Sequence, residues 1–332
     1  MSAQPPLTEP FRIGDVEIAN RVLLAPLAGI GNWFVRLQAR RHGAGLAVSE
    51  MVSSFALHHR NPRTLRELLT VHPDEHPVSI QFFGHDPDVM RGGARIAAEA
   101  GADLIDINMG CPVRKVRKTG AGAALLADPE LAVRVVRGAI EGSGLPVTVK
   151  LRSGLEPGDR SGLELAERLA GAGVAAVAFH PRPASEQHSG APDYGLVREL
   201  VERVDVPVIV SGGLRTAQCA RAAYRESSAA AVMIARGSLG NPWIFERLTG
   251  RRSGDPAPED IVSELLWVID RAEEQLGTGR AAAYLRKFYP WYLERLRAPR
   301  RANQPFQRTR SLDEARRLAL GTVSPVPAGA AL

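Results

Sequence analysis

Asp103-Leu104-Ile105-Asp106-Ile107-Asn108-Met109-Gly110-Cys111-Pro112-Val113-Arg114-Lys115-Val116-Arg117-Lys118-Thr119-Gly120-Ala121-Gly122 passes from an apolar run into a glycine-punctuated loop. The run up to Ile107 reads as a buried parallel strand. At its C-terminal end stand an amide, a thiol and then four cations. A cysteine kept for packing sits inside an apolar pattern, not after one. Cys111, one of two cysteines in the chain, is therefore placed for chemistry. The neighbouring cations alone favour a nucleophilic thiolate; a proton-donating thiol stays open.

Working outward, the same unit recurs: apolar run, loop, amphipathic stretch. The runs are Val22–Ala25, Leu46–Ser49, Val78–Gln81, Leu104–Ile107, Val147–Leu151, Ala175–Phe179, Pro207–Val210 and Ala230–Ala235. Between them Pro87–Ala100, Pro129–Glu141, Ser161–Ala172 and Arg215–Arg225 carry helical periodicity and helix-start residues. Residues 11–21 alternate about Gly14-Asp15 and read as a short hairpin. Eight β/α units predict a TIM (β/α)8 barrel. A doubly wound sheet would call for a GxGxxG turn after the first strand, and Ala25-Pro26-Leu27-Ala28-Gly29 is not one. After Asn241-Pro242-Trp243-Ile244-Phe245 the alternation stops. Ser253–Pro258 reads as a linker. Ile261–Leu276, Ala281–Leu296 and Leu312–Leu320 read as helices, with a break at Gly277-Thr278-Gly279. The expected organisation is a barrel over residues 1–248 and a small helical domain over 249–332, ending in a frayed tail from Val323.

Composition narrows the function. Hydrophobic residues make up 45% of the 332, enough for a large core. No apolar run reaches the length that spans a bilayer. The start, Met1-Ser2-Ala3-Gln4-Pro5-Pro6, lacks the charged and apolar regions of a secretion signal. Two cysteines without framework spacing suit a reducing, cytoplasmic setting. No CxxC pair suggests a metal site. The net charge of +6 is uneven: residues 251–332 hold 14 Lys/Arg against 10 Asp/Glu, and Arg286 to Arg310 hold eight cations and one acid, Glu294. Such a block suits a polyanion partner or, equally, a solvated basic face.

A barrel puts functional residues where strands end. Strand 3 ends at Gln81, strand 4 at Asn108, strand 5 at Lys150, strand 6 at His180 and Arg182. Strand 7 ends at Ser211-Gly212-Gly213 and strand 8 at Ala235-Arg236-Gly237. The paired glycine turns of strands 7 and 8 suit phosphate, held by backbone N–H groups and Arg236. Taken alone, each feature has a plain structural reading: a simple turn, a snorkelling lysine, a structural histidine. As a set they suit FMN across the barrel mouth. Its ring would lie over strands 1–5, with Lys150 near the N1–C2=O edge.

These residues carry a resemblance. The chain resembles the tRNA-dihydrouridine synthases, of the bacterial B-like kind, over residues 11–248. The shared motifs are Leu24-Ala25-Pro26-Leu27-Ala28-Gly29, Ser49-Glu50-Met51-Val52, Ile80-Gln81-Phe82-Phe83-Gly84, the segment Asn108–Leu126, Val149-Lys150-Leu151-Arg152, Ser211-Gly212-Gly213 and the stretch Ala235–Trp243. The Asn-Met-Gly-Cys-Pro loop with its Gly-x-Gly tail is the most specific. In the helical end the likeness rests on Leu285-Arg286-Lys287-Phe288 and Trp291-Tyr292. The resemblance implies an FMN enzyme that reduces the C5–C6 bond of uridines in tRNA with electrons from NADPH. A cytoplasmic monomer without metal or membrane is expected. Cys111 becomes the general acid toward C5. Pro26, Gln81, Asn108, Lys150, His180, Ser211, Gly212, Gly213, Ala235, Arg236 and Gly237 become the cofactor set, and Asn108 could instead meet the base. Lys115, Lys118, Arg182, Arg286 and Lys287 would grip RNA. An ordinary thiol is mostly protonated near neutrality and can donate. The loop cations then belong to the phosphate backbone, and the uracil must leave its stack to reach the mouth.

The chain departs from the family pattern in places. Ser211 and Gly213 stand where an Asn-Gly-Asp turn is usual, and Ala235 stands where a glycine precedes the arginine. The strand-6 loop reads His180-Pro181-Arg182-Pro183, His188 takes the place of a tyrosine, and Phe288 takes that of a histidine. These changes bear on which uridine is read, not on Cys111 or Lys150. Two rivals remain: an FMN barrel acting on a small molecule, such as a dihydroorotate dehydrogenase, and a non-catalytic tRNA-binding protein. Among the aromatics beside the cationic helices, Phe288 and Trp291 are expected in the core.

Overall fold

In a computed structural model that describes residues 4–322, the eight apolar runs become eight parallel strands. They are β1 (Val22–Leu24), β2 (Leu46–Val48), β3 (Val78–Phe83), β4 (Leu104–Met109), β5 (Val147–Arg152), β6 (Ala176–His180), β7 (Val208–Ser211) and β8 (Ala231–Ile234). Each pairs with the next in chain order, and β8 pairs with β1 through Val232↔Val22, Met233↔Leu23 and Ile234↔Leu24. The sheet is closed, so it has no free edge. The two-residue strand Val52–Ser53 extends it beside the end of β3.

Helices alternate with the strands because the loops supply their caps. The Asp86 side chain accepts the Asp88 and Val89 N–H groups ahead of Pro87–Glu99, and Asp128 accepts that of Leu131 ahead of Pro129–Ser143. Pro87 and Pro129 occupy the first turn, where no N–H is needed. Thr216 caps Ala217–Ser227 through the Cys219 N–H, so that helix starts two residues later than its apolar pattern.

The N-terminal hairpin, Phe11–Ile13 against Val16–Ile18, pairs antiparallel around Gly14. Phe11, Ile13 and Ile18 join one buried cluster with Leu46, Leu104, Ala176 and Ala231, residues at the N-terminal ends of their strands. The hairpin thus plugs the barrel floor. The opposite end, where the strands finish, is left to the βα-loops.

The chain divides into two units, Met1–Gly237 with Ile244–Arg251 and Ser238–Trp243 with the described residues from Arg252 onward. The second is helical. Pro258–Leu276 is its longest helix and buries Ile261, Leu265, Val268 and Ile269. The single helix expected over Ala281–Leu296 is instead Thr278–Tyr284, a tighter turn at Leu285–Lys287 and Tyr289–Arg295. Pro290 lacks an N–H and crowds the preceding turn. The break falls at Gly277 alone, at φ +73°. Phe288, Tyr289 and Tyr292 are buried, whereas Trp291 is only partly so. No helix among the described residues is long and apolar enough to cross a membrane. The tail expected from Val323 lies outside the described residues.

Candidate active site

The barrel interior has two characters. Below the mouth, on β1, β2, β6, β7 and β8, the interior side chains are apolar or small: Leu23, Ala25, Val48, Ala178, Ile209 and Met233 share one cluster. On β3 to β5, above Leu104, they are polar. Gln81 pairs in register with Asp106, and Asp106 with Thr148. One step nearer the mouth Asn108 pairs with Lys150, and at the mouth Arg152 pairs with His180. Ile105, Ile107 and Met109 alternate with Asp106 and Asn108 and are buried on the other face.

A hydrogen-bond chain climbs this polar arc. Asp106 accepts from Thr148 Oγ1 at 2.5 Å and from Gln81 Nε2 at 2.6 Å. Gln81 Oε1 accepts from Asn108 Nδ2 at 2.9 Å. Asn108 Oδ1 then accepts the backbone N–H of Gly110 at 3.2 Å and of Cys111 at 2.8 Å. The Cys111 carbonyl takes the Ala123 N–H at 3.1 Å, and Arg152 Nε holds the Gly110 carbonyl at 2.9 Å. A Cβ on Gly122 would come 2.9 Å from that Cys111 carbonyl, which is why the turn ends in glycine. Cys111 is thus latched on three sides and half-buried.

The other half of the mouth is cationic. Lys150 Nζ donates to Ser211 Oγ at 3.2 Å. Burial, and then the Arg152 charge, pull its pKa from 10.5 to about 8. Burial also lowers Arg152, to about 10, with Arg182 adding repulsion. Arg182 Nη1 lies 3.1 Å from His180 Nε2. A guanidinium can only donate, so Nε2 is the acceptor and the neutral ring carries its proton on Nδ1. Burial, Lys150, Arg152 and Arg182 all hold His180 well below its ordinary pKa, consistent with that neutral form. His188 stacks beyond it, ring centroids 6.3 Å apart.

Gly212 and Gly213 turn the end of β7 at φ +95° and +77°. A Cβ on Gly212 would sit 2.3 Å from the His180 ring, and one on Gly213 would meet Tyr194 Oη at 2.8 Å. Tyr194 donates to the Gly212 carbonyl at 2.8 Å. On β8 the backbone is equally close, because a Cβ on Gly237 would meet the Leu214 carbonyl at 2.4 Å. Close backbone, a neutral imidazole and cations that repel one another form a cradle that an anion would relieve. The donor set fits FMN: an anionic phosphate and a ring edge that gathers negative charge on reduction.

The structure brings Gln81, Asn108, Cys111, Lys150, His180 and Ser211–Gly213 to one end of the barrel, with half-buried Pro26 and Ala235 just beyond β1 and β8. Gln81 is wholly buried below Asn108, its amide engaged at both ends. Arg182 has 6% exposure. Its N–H bonds to the His180 carbonyl at 2.8 Å, a tight turn that folds the side chain back onto His180 rather than toward solvent. Lys115 and Lys118 are exposed beside the thiol loop. Arg286 and Lys287 lie in the helical unit, Arg286 donating to the Thr309 carbonyl and Lys287 Nζ 4.5 Å over the Tyr284 ring. Sequence reading passed over Asp106, Thr148 and Arg152. The signal for Asp106 was present: an acid inside an otherwise apolar strand needs partners.

Comparison with known proteins agrees with this geometry. A family model described as dihydrouridine synthase matches residues 23–322. The chain is 36% identical to tRNA-dihydrouridine synthase B of Yersinia pestis over 309 residues, 90% of this chain and 93% of that one. It is 34% identical to tRNA-dihydrouridine synthase B of Pasteurella multocida over 290 residues, 86% and 87% of the two chains. Among solved structures, morphinone reductase in complex with tetrahydroNAD superposes with a TM-score of 0.52 at 18% identity, covering 77% of this chain and 94% of that one. Histamine dehydrogenase from Rhizobium sp. 4-9 does so at 0.55 and 16%, over 74% and 48%. At such identities the structures speak for the fold.

Proposed function

The chain belongs to the dihydrouridine synthase family, and on that premise we propose that it reduces the C5–C6 double bond of uridines in tRNA to 5,6-dihydrouridine. FMN, bound across the mouth and reduced by NADPH, would supply the hydride that reaches C6. The chain's own residues do the rest. Lys150 would face the ring edge that gathers negative charge on reduction. His180, the Ser211–Gly213 turn, Arg236 and Gly237 would hold the phosphate, and Pro26 and Ala235 would complete the cradle with backbone contacts. Asn108 would meet the ring or the base, with Gln81 beneath it as its support. Arg182 serves this cradle through His180.

Cys111 delivers the proton to C5 on the face of the base opposite the hydride, and the resulting thiolate recovers its proton from water. The latched backbone of the loop keeps the thiol in place while the base enters. A flipped uracil reaches the mouth past Lys115 and Lys118, which neutralise flanking phosphates. Arg286 and Lys287, in the helical unit, would meet RNA phosphates as well. Such a reaction, drawing on tRNA and NADPH, belongs in the cytoplasm, and one copy of the chain holds every residue it needs.

The observation that supports this most is a backbone-anchored thiol on the loop after β4, beside a mouth whose other strands present cations and close backbone. The test is direct. Purified protein, FMN, NADPH and unmodified tRNA are incubated, and dihydrouridine is measured by mass spectrometry. Product that depends on both FMN and NADPH is expected. A protein that binds no flavin, or that oxidises NADPH without forming dihydrouridine in any tRNA, overturns the proposal.

A further inference from the structure

Asp106 lies one register step below the site, 1% exposed, and touches neither the mouth nor Cys111. Its importance follows from donor and acceptor arithmetic. Gln81 and Asn108 each carry an amide that could face either way. An acceptor at Asp106 Oδ2 leaves Gln81 only one choice: Nε2 toward Asp106, Oε1 toward Asn108. Asn108 must then offer Nδ2 to Gln81, which turns Oδ1 toward the Gly110 and Cys111 N–H groups. Reversing the first amide reverses the second. Asn108 would then point NH2 at two N–H donors, and the latch on the cysteine loop would open.

We propose that Asp106 is a positioning residue: it sets the polarity of the Gln81–Asn108 amide chain and thereby holds the Cys111 backbone where the thiol can deliver its proton. This rests on Cys111 as the proton donor of the proposed reaction. What matters is an acceptor facing Gln81, not the charge. Burial already draws Asp106 toward its neutral form, against Thr148, Gln81 and Lys150. Thr148, whose hydroxyl can donate or accept, adapts to either form. An asparagine at 106 meets the same requirement, oxygen to Gln81 and NH2 to Thr148. A leucine cannot.

The experiment uses Cys219→Ser protein, leaving Cys111 as the sole cysteine, with D106N and D106L made on it. Three rates are read: reduction of bound flavin by NADPH, reoxidation of the reduced protein by unmodified tRNA, and alkylation of Cys111 by iodoacetamide without tRNA. D106N is expected to stay within about three-fold of the parent in all three, less than the loss of one hydrogen bond. D106L should be reduced at the parental rate, be reoxidised about 10- to 100-fold more slowly, and be alkylated about five-fold faster as the latch loosens. If D106L fails to fold, Asp106→Ser, too short to reach Gln81, replaces it. D106N as slow as D106L would make charge the agent and overturn the proposal. D106L matching the parent in reoxidation and alkylation would overturn it too. A parent that tRNA does not reoxidise would sink the functional reading instead, and the alkylation rates would still decide whether Asp106 positions the loop.

Discussion

Lys150→Met separates what the mouth costs the fold from what it does for a ligand. Lys150 titrates at about 8 in the folded chain against an ordinary 10.5, through burial first and Arg152 second. Folding therefore weakens its hold on the proton. At pH 7 both states carry the proton and the full cost is present, about 3 kcal/mol for that difference. As pH rises through 8 the folded lysine gives up its proton while the unfolded one keeps it to 10.5. The unfolded state then binds more protons, so stability rises with pH across that window. Methionine keeps the stem and removes the charge, at the loss of the 3.2 Å bond to Ser211, about 1 kcal/mol. Flavin-free Lys150→Met should thus be about 2 kcal/mol more stable than wild type at pH 7 in urea melts followed by tryptophan fluorescence. That lead should fall steadily between pH 8 and 10.5. Excess FMN should reverse the order, because at 100 times its Kd a ligand adds about 2.7 kcal/mol to the form that binds it. A flavin-free variant less stable than wild type at pH 7, or a lead indifferent to pH, would refute the reasoning.

Cys111→Ala should keep its yellow colour and its affinity for tRNA while dihydrouridine formation, read by mass spectrometry, drops by about 100-fold or more; unchanged turnover removes the thiol from the chemistry. Gly212→Ala places a Cβ 2.3 Å from His180 at a φ of +95°. It should lower thermal stability by about 1–3 kcal/mol and release FMN, and an unaltered melt and flavin content would dissolve the cradle. Arg297, Arg300 and Arg301 are exposed in the helical unit. Reversing all three to glutamate should weaken tRNA binding and flatten its salt dependence, whereas an unchanged salt slope would put the RNA surface elsewhere.

The barrel was legible because its strands are short apolar runs at regular spacing, and period alone marks them. The ends of the helices were less so. Ala217–Ser227 starts where Thr216 can cap it, not where the apolar pattern begins. In the helical unit a continuous apolar period ran through Pro290, and a missing N–H outweighed it. The aromatics there followed burial. Phe288, Tyr289 and Tyr292 went inside, while Trp291 remained at the margin.

The site was legible only where a side chain stands at a strand end. Asn108, Lys150 and His180 announce themselves because the apolar run stops at them. Asp106 does not, because one residue earlier the run still continues around it, and its partners Gln81 and Thr148 come from strands 25 and 42 residues away. Arg182 misleads for a related reason. Two residues past a strand end ordinarily means solvent, and between Pro181 and Pro183 it reads as a loop. The chain instead turns at once, Arg182 N–H onto the His180 carbonyl, and spends the guanidinium on the imidazole and on the Gly190 carbonyl. Both cases turn on which groups satisfy a buried polar atom, and that depends on register between strands rather than on order along one. It follows that the residues carried most securely from sequence are those that would meet a ligand. The residues that hold them in place become visible only once the sheet is closed.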